Sequence, residues 1–324
     1  MAKLTSGSTY RPELAGAVRE YNIQAAIAGQ FIGHIVLPEA PVEVAEGSFP
    51  IVKKENFRKT AETARAPGAS FPRGDWSWDK TNFACLENAY EIPMDNKEMA
   101  KYAAVIDYEE ESAIGAEAVV RLAYEKRVAD AVMNTTTWTA TNVAVAWSTV
   151  ATATPLLDID TAANKLEDQL GVNRNQLTLI LPRAGWQYLR SATEVLDRMK
   201  TWNSGITGRE NIRQDVLAQY LDIKGVLVGS GAYDAANEGI AQSFSPIWPV
   251  RYGMLALLAP EGAPRQTLGL GRTLRWTDGM PDFITIETYI DDARDSEIVR
   301  ARQFTDEVIV ASFAGQLLDL TAAT

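Results

Sequence analysis

Phe49-Pro50-Ile51-Val52-Lys53-Lys54-Glu55-Asn56-Phe57-Arg58-Lys59 opens the stretch that decides the fold, which runs on to Asn134. This opening is extended, basic and aromatic. The centre, Ala64-Arg65-Ala66-Pro67-Gly68-Ala69-Ser70-Phe71-Pro72-Arg73-Gly74, is rich in proline and glycine, and Trp76-Ser77-Trp78-Asp79-Lys80-Thr81-Asn82-Phe83 then partly alternates aromatic with polar side chains. The pattern predicts a long two-stranded excursion between Phe49 and Pro93. An isolated two-stranded hairpin is marginal in water, so this one is expected to lie on another subunit. Lys53, Lys54, Arg58, Lys59, Arg65, Arg73 and Lys80 supply its charge, and Phe57, Phe71 and Trp76 its apolar area.

The second part of the stretch predicts one helix from about Asp95 to Asn134. Asp95 can cap it, Glu98 can close a capping box, and no proline follows until Pro155. That length makes a rod of roughly 60 Å, against about 11–12 residues for an ordinary globular helix. Met99, Ala103, Ile106, Ala113, Val120, Tyr124 and Val128 fall near one face; Glu110 and Glu117 interrupt the stripe, and Gly115 is a candidate kink. Compact enzymes seldom need such a rod, whereas a thin, wide subunit touching many neighbours does.

The 324 residues are 46% hydrophobic and 23% charged, enough for one large or two modest domains with a sizeable core. A net charge of −11 argues against binding nucleic acid through a strongly basic face. In the N-terminal segment Lys3, Arg11 and Arg19 are outnumbered by Glu13, Glu20, Glu39, Glu43 and Glu46, so a genome enclosed by this subunit would not be condensed by it. No apolar run is long enough to span a membrane and the N-terminus lacks the apolar block of a signal peptide, so a cytosolic chain is expected. Cys85, the only cysteine, excludes an internal disulfide and a cysteine-rich zinc site; a buried structural thiol is expected.

Beyond the stretch, residues 1 to about 48 read as an arm laid along a surface, extended at Ile35-Val36-Leu37-Pro38. From about 158 to 260 helices and strands alternate, as in a compact α/β unit. Asp160 is the expected cap of a helix ending at Gly171, Leu177–Leu181 is a strand, a helix restarts over Pro182–Arg190, another runs from about Gly208 to Leu221, and Val226–Val228 and Met254–Leu258 are strands. After Pro264 the chain turns to β patterns at Phe283–Ile290, Ile298–Arg300 and Glu307–Val310. Asp282, Asp291, Asp292, Asp295, Glu297, Asp306 and Glu307 make this tail acidic, complementary to the basic hairpin.

Other motifs are weaker as chemistry. His34 is the only histidine, no Gly-x-Ser-x-Gly surrounds a serine, and a structural role is expected for it. Gly229-Ser230-Gly231 has Asp234 where a dinucleotide loop needs its third glycine, and reads as a tight turn. Asp291, Asp292 and Asp295 lack the Gly and Glu of a calcium loop, and Asp158 with Asp160 is no better defined as a pair. Asn134-Thr135-Thr136 is a glycosylation triplet only in a secreted chain, and the tryptophans are expected at cores and subunit contacts. No catalytic, cofactor or metal residue is assigned.

Taken in order, the pieces resemble the major capsid proteins of tailed bacteriophages, with their α+β, Hong Kong 97-type (HK97-like) fold. The resemblance covers nearly the whole chain: N-terminal arm (1–48), extended loop (49–92), spine helix and start of the peripheral domain (93–157), axial domain (158–262) and return to the peripheral domain (263–324). Leu177-Thr178-Leu179-Ile180-Leu181-Pro182-Arg183-Ala184-Gly185-Trp186 is similar to the family's strand-then-helix. Ile206-Thr207-Gly208-Arg209-Glu210 with Tyr220-Leu221-Asp222-Ile223-Lys224-Gly225-Val226-Leu227-Val228-Gly229 resembles its axial helix and strand, and Ser245-Pro246-Ile247-Trp248-Pro249 its tryptophan segment. The resemblance implies a shell of hexamers and pentamers around double-stranded DNA, with contacts through Lys53, Lys54, Phe57, Arg58, Lys59, Arg65, Phe71, Arg73 and Trp76 against Asp291, Asp292 and Asp295. It also implies a portal and a decoration or cement protein, and, because no charged helical leader precedes the short arm, a separate scaffolding protein. Lys53, Lys54, Lys59 and Lys80 are all open to the crosslink some members make. An encapsulin-like compartment and an α/β enzyme with a helical insertion are the alternatives.

Overall fold

The computed structural model describes residues 9–11, 14, 31–53, 64–65, 67–68, 70–71, 73, 78–102, 107–202, 205, 208–236, 239–264, 267–278 and 280–321. Expectations about most of the arm before residue 31, about Lys54, Phe57, Arg58, Lys59 and Trp76, and about residues 103–106 lie outside the described residues.

In chain order the strands are β1 (Thr9–Tyr10), β2 (Glu39–Val42), β3 (Glu46–Val52), β4 (Trp78–Ala84), β5 (Leu86–Asp95), β6 (Thr141–Asn142), β7 (Leu177–Pro182), β8 (Gly225–Gly229), β9 (Ala232–Asp234), β10 (Phe244–Pro246), β11 (Tyr252–Leu257), β12 (Gly271–Trp276), β13 (Thr285–Asp291), β14 (Ser296–Ile309) and β15 (Gly315–Asp319). The helices are α1 (Gly33–Val36), α2 (Asn96–Tyr102), α3 (Tyr108–Val132), α4 (Pro155–Leu170), α5 (Arg183–Ser191), α6 (Thr193–Trp202) and α7 (Gln214–Leu221).

Two sheets carry the body. One has the order β1-β13-β14-β12-β2, with β5 also paired to β14; the other has the order β6-β15-β11-β7-β8. Helix α3 joins them. Its first half packs on the first sheet, Ala113 against Met94, Ile286 and Val299, and Ala116 and Val120 against Ala301 and Ile284. Its second half, Tyr124, Val128, Ala129 and Val132, packs on the second sheet through Ile180, Met254, Ala256 and Leu317. Gly115 sits where the helix passes Ile92, within 3.3 Å of where a Cβ would be.

The single 95–134 helix is not observed. Asp95 caps α2, accepting from the N–H groups of Lys97 at 2.8 Å and Glu98 at 3.3 Å, but Asp107 is extended and starts α3 afresh. Its carboxylate accepts the N–H of Glu110, and Glu109, Glu110 and Glu111 fill the first turn, where the helix dipole favours negative charge. The 25 residues of α3 make a rod of roughly 37 Å rather than 60 Å.

The second sheet has both faces covered. Leu177, Leu179 and Leu181 of β7 face a core built with α4, α5, α6 and α7, while Ile180 faces α3. Trp147, Leu156, Ile159, Leu166, Leu189, Val195, Met199 and Leu217 are fully or almost fully buried in that core. Helix α4 starts at Pro155, whose ring presets the helical φ, rather than at Asp160; Asp160 lies inside it and pairs with Arg174. Its end is as expected, with Gly171 as C-cap. The expected 208–221 helix is reduced to a short 3-10 turn, Arg209–Asn211, and α7, because Ile212 and Arg213 are extended.

Three expected elements pair differently from the sequence reading. The hairpin is β3–β4, and β5 belongs to the first sheet, pairing with β14 from Asp95↔Ser296 to Leu86↔Thr305. Two tail strands are one, since β14 runs 14 residues without a break. The end of the chain does not stay with the first sheet: β15 pairs with β11, Tyr252↔Asp319 to Ala256↔Gly315. Among the described residues no helix is long and apolar enough to cross a membrane.

Candidate functional site

Among the described residues the β3–β4 hairpin is tied to the body at its base. Cys85 N–H donates to Ala45 O at 2.9 Å, and Ala84 N–H donates to the Asp306 carboxylate at 2.9 Å. Phe83 is the one buried side chain of β4 and packs with Ala40, Val42, Cys85, Leu274 and Val308. Beyond it Asp79, Lys80 and Asn82 are exposed, as are Trp78 at 52% and Phe71 at 71%. Arg65 lies over the Phe71 ring, 4.2 Å from its centroid. Lys53 is half-buried and Arg73 exposed. A large apolar side chain left in water forfeits about 1.5–3 kcal/mol of burial, so this segment has surface to give to a partner.

The acidic tail is divided. Asp291, Asp292 and Asp295 sit on the turn between β13 and β14, with Asp292 exposed. Asp291 accepts from Ala293 N–H at 3.1 Å and lies 3.8 Å from Arg294. Asp295 has a left-handed backbone (φ 49°) and accepts from the Asn96 amide at 2.8 Å, which ties the turn to α2. Asp306 and Glu307, in contrast, are spent inside the subunit. Glu307 takes a bidentate contact from Arg127 of α3 (3.1 and 3.3 Å), whose Nη2 also reaches Gln303 and Thr305. On the opposite face of β14, Arg302 bridges Glu287 at 2.8 Å and Glu87 at 3.5 Å, and Arg300 meets Glu91 at 2.5 Å.

A second constellation went unread in the sequence. Glu125 of α3 is buried, and its carboxylate accepts three N–H groups: Ile32 at 2.9 Å, Gly33 at 2.8 Å and the Trp248 indole at 2.8 Å. One side chain thus ties the arm, the helix and the loop before β11 together. Burial pushes its pKa up, against those hydrogen bonds and nearby Arg121. Gly33 is required here, because a Cβ would come 2.6 Å from the carboxylate. Glu117 and Glu125 lie on the buried side of α3 at i and i+8, with Arg121 between them bridging Glu117 at 3.4 Å; this acid-base-acid spacing was the available signal.

Beside Glu125 is a cavity of about 150 Å³ lined by Phe31, His34, Glu39, Arg121, Tyr124, Glu125, Glu261 and Phe283. His34 is held below its ordinary pKa by burial and then by Arg121, with Glu261 pulling the other way. Cys85 is the expected buried thiol, pushed up to about 11 by burial, with its Sγ donating to Leu274 O. Gly229 is a close-approach glycine: a Cβ there would lie 2.2 Å from the Trp248 indole. Asp158 receives the Trp147 indole N–H at 2.9 Å, and Asn134 closes a turn onto Thr136 N–H at 2.8 Å. Trp138, Trp147, Trp186 and Trp248 are buried, whereas Trp78 and Trp202 are not.

No family model and no curated protein matches the sequence. Solved structures do match. A phage-related protein from Bordetella bronchiseptica superposes on 98% of this chain and 99% of its own, with a TM-score of 0.73 and 22% identity. The capsid of cyanophage P-SCSP1u covers 91% of this chain and 89% of its own at a TM-score of 0.58 and 9% identity. A virus-like particle from Pyrococcus furiosus covers 94% and 98% at 0.55 and 11%. At such identities the likeness is one of fold, and it extends over about nine-tenths or more of each chain: the mixed α+β architecture is similar to that of phage capsid proteins, the Hong Kong 97-type fold.

Proposed function

We propose that this chain is the major capsid protein of a tailed bacteriophage, a non-enzymatic subunit that assembles as hexamers and pentamers into an icosahedral shell around double-stranded DNA. The observation that carries the reading is the full-length similarity to phage-related and phage-capsid structures. The exposed hairpin adds a physical reason for assembly.

In this reading each subunit lays its hairpin across a neighbour. Lys53, Lys54, Arg58, Lys59, Arg65 and Arg73 would meet acidic surface such as Asp291, Asp292 and Asp295, while Phe57, Phe71, Trp76 and Trp78 lose water. The axial domain, 158–262, would meet its copies around the local symmetry axis. Exposed ion pairs are worth about 0–1 kcal/mol each, so stability comes from many contacts repeated around a closed shell. The reading also brings a separate scaffolding protein, a portal, a possible decoration protein, assembly in the host cytoplasm and a final place in the virion.

An encapsulin-like compartment with protein cargo is the second reading; the likeness to the Pyrococcus furiosus virus-like particle supports a closed shell under either. Electron microscopy of the purified protein tests both: closed shells are expected, and dimers alone would refute both. Nuclease-protected DNA inside particles from infected cells, with portal and terminase genes nearby, is the result expected of the first reading; protein cargo without DNA supports the second.

A further inference from the structure

The cavity beside Glu125 has a chemistry of its own. Among the described residues that line it, the carboxyl groups of Glu39, Glu125 and Glu261 outnumber the one guanidinium, Arg121; Glu39 pairs with Arg275 and Arg121 with Glu117. Burial holds His34 neutral at neutral pH, leaving a ring nitrogen able to accept a hydrogen bond. Three aromatic rings complete the walls: Phe31, and Tyr124 edge-on to Phe283 with centroids 5.2 Å apart. Glu261 is exposed, so the cavity opens on its side. Acidic, aromatic walls favour a cation with an apolar stem. An organic ammonium has such a stem.

Size narrows the choice. At about 30 Å³ per water molecule, 150 Å³ is the space of about five waters, which matches the four methylenes and ammonium of a lysine side chain. The protein has a concentrated source of such groups. In an acidic chain the β3–β4 excursion carries Lys53, Lys54, Lys59 and Lys80, and its described part projects away from its own core. We propose that this cavity receives a lysine side chain from the basic hairpin of a second copy, an inference that rests on the shell reading for the identity of the source. The ammonium then lies between Glu261 and His34, with its stem against Phe31, Tyr124 and Phe283.

His34 is the only histidine, so its imidazole gives a single NMR signal that reports the cavity directly. The full-length protein, kept unassembled, is titrated with n-butylammonium and in parallel with n-butanol. A saturable shift of the His34 signal with the ammonium and not the alcohol is expected, weakened roughly three- to fivefold by Glu261→Gln, the size of one exposed charge contact. No saturable shift, or an equal response to the alcohol, overturns the cation site. Assembly tests the source: Glu261→Lys protomers should fold and yield about tenfold fewer closed shells, since like charges at a contact are costly. Normal shells from Glu261→Lys, with the titration positive, overturn the hairpin as the source. If the wild-type chain forms no shells, the source fails together with the shell reading, and the titration still decides the cavity.

Discussion

The five-stranded unit and the β3–β4 hairpin are both built from extended, partly apolar sequence, yet one is complete and the other is not. In the first, β7 has every residue buried, with leucines on the helical face and Ile180 on the α3 face. In the second, β4 has one buried side chain among seven, and its tryptophan faces water. Hydrogen bonding does not distinguish them, since β3 and β4 pair over their whole length, Glu46↔Ala84 to Val52↔Trp78. What differs is burial. The same polymer physics that closes one region leaves the described part of the other with apolar side chains in water.

The sharpest break in that contrast comes from removing one apolar side chain from each region. Leu179→Ala should cost about 2–5 kcal/mol in chemical denaturation of the protomer, because a fully buried leucine leaves a cavity. Trp78→Ala should cost less than about 0.5 kcal/mol in the same measurement, as for a surface site. Comparable losses would erase the distinction.

Next in size is Gly229→Ala. The new methyl would press on Trp248, whose indole also donates to Glu125, so overpacking of about 1–3 kcal/mol should appear with a change in tryptophan fluorescence.

Cys85 marks where the hairpin base meets the body. Its thiol ionises near 9 when unfolded and at about 11 when folded, so the folded state holds the extra proton between those values. Stability should therefore fall as pH rises from 9 to 11, and the fall should vanish in Cys85→Ser. Alkylation of the native protein should lag that of the denatured protein across the same window.

The smallest effect on the protomer is expected from reversing the charge of Lys53, Lys54, Arg58 and Lys59 to glutamate. Its melting should change by less than about 0.5 kcal/mol while closed particles are lost, and normal particles would refute the electrostatic part of the contact.

Much of this division was legible in the sequence because it rests on local signals. The apolar runs at Leu177–Leu181 and Met254–Leu258, the Asp95 cap and the aromatic alternation after Trp76 each report their own element. The misses came where tertiary partners change what a residue means. Ala301–Asp306 fell between the two expected strands, but Arg127 donates to Gln303 Oε1 and Thr305 Oγ1, and Arg302 donates to Glu287, so β14 runs through. Asp107 looked like an ordinary helix residue and is a cap. Glu125, which no local pattern singled out, holds three distant donors, of which Ile32 and Trp248 are separated by most of the chain. Such pairings are set by sequence separation, not by periodicity.

Hydrogen exchange of the hairpin amides, Glu46–Val52 and Trp78–Ala84, measured in free protomer and in assembled particles, tests the central claim most directly. In the protomer they should exchange at least about a hundredfold faster than β7 and β11, and assembly should slow them at least about tenfold. Hairpin amides as protected as β7 in the free protomer, and unchanged on assembly, would contradict it.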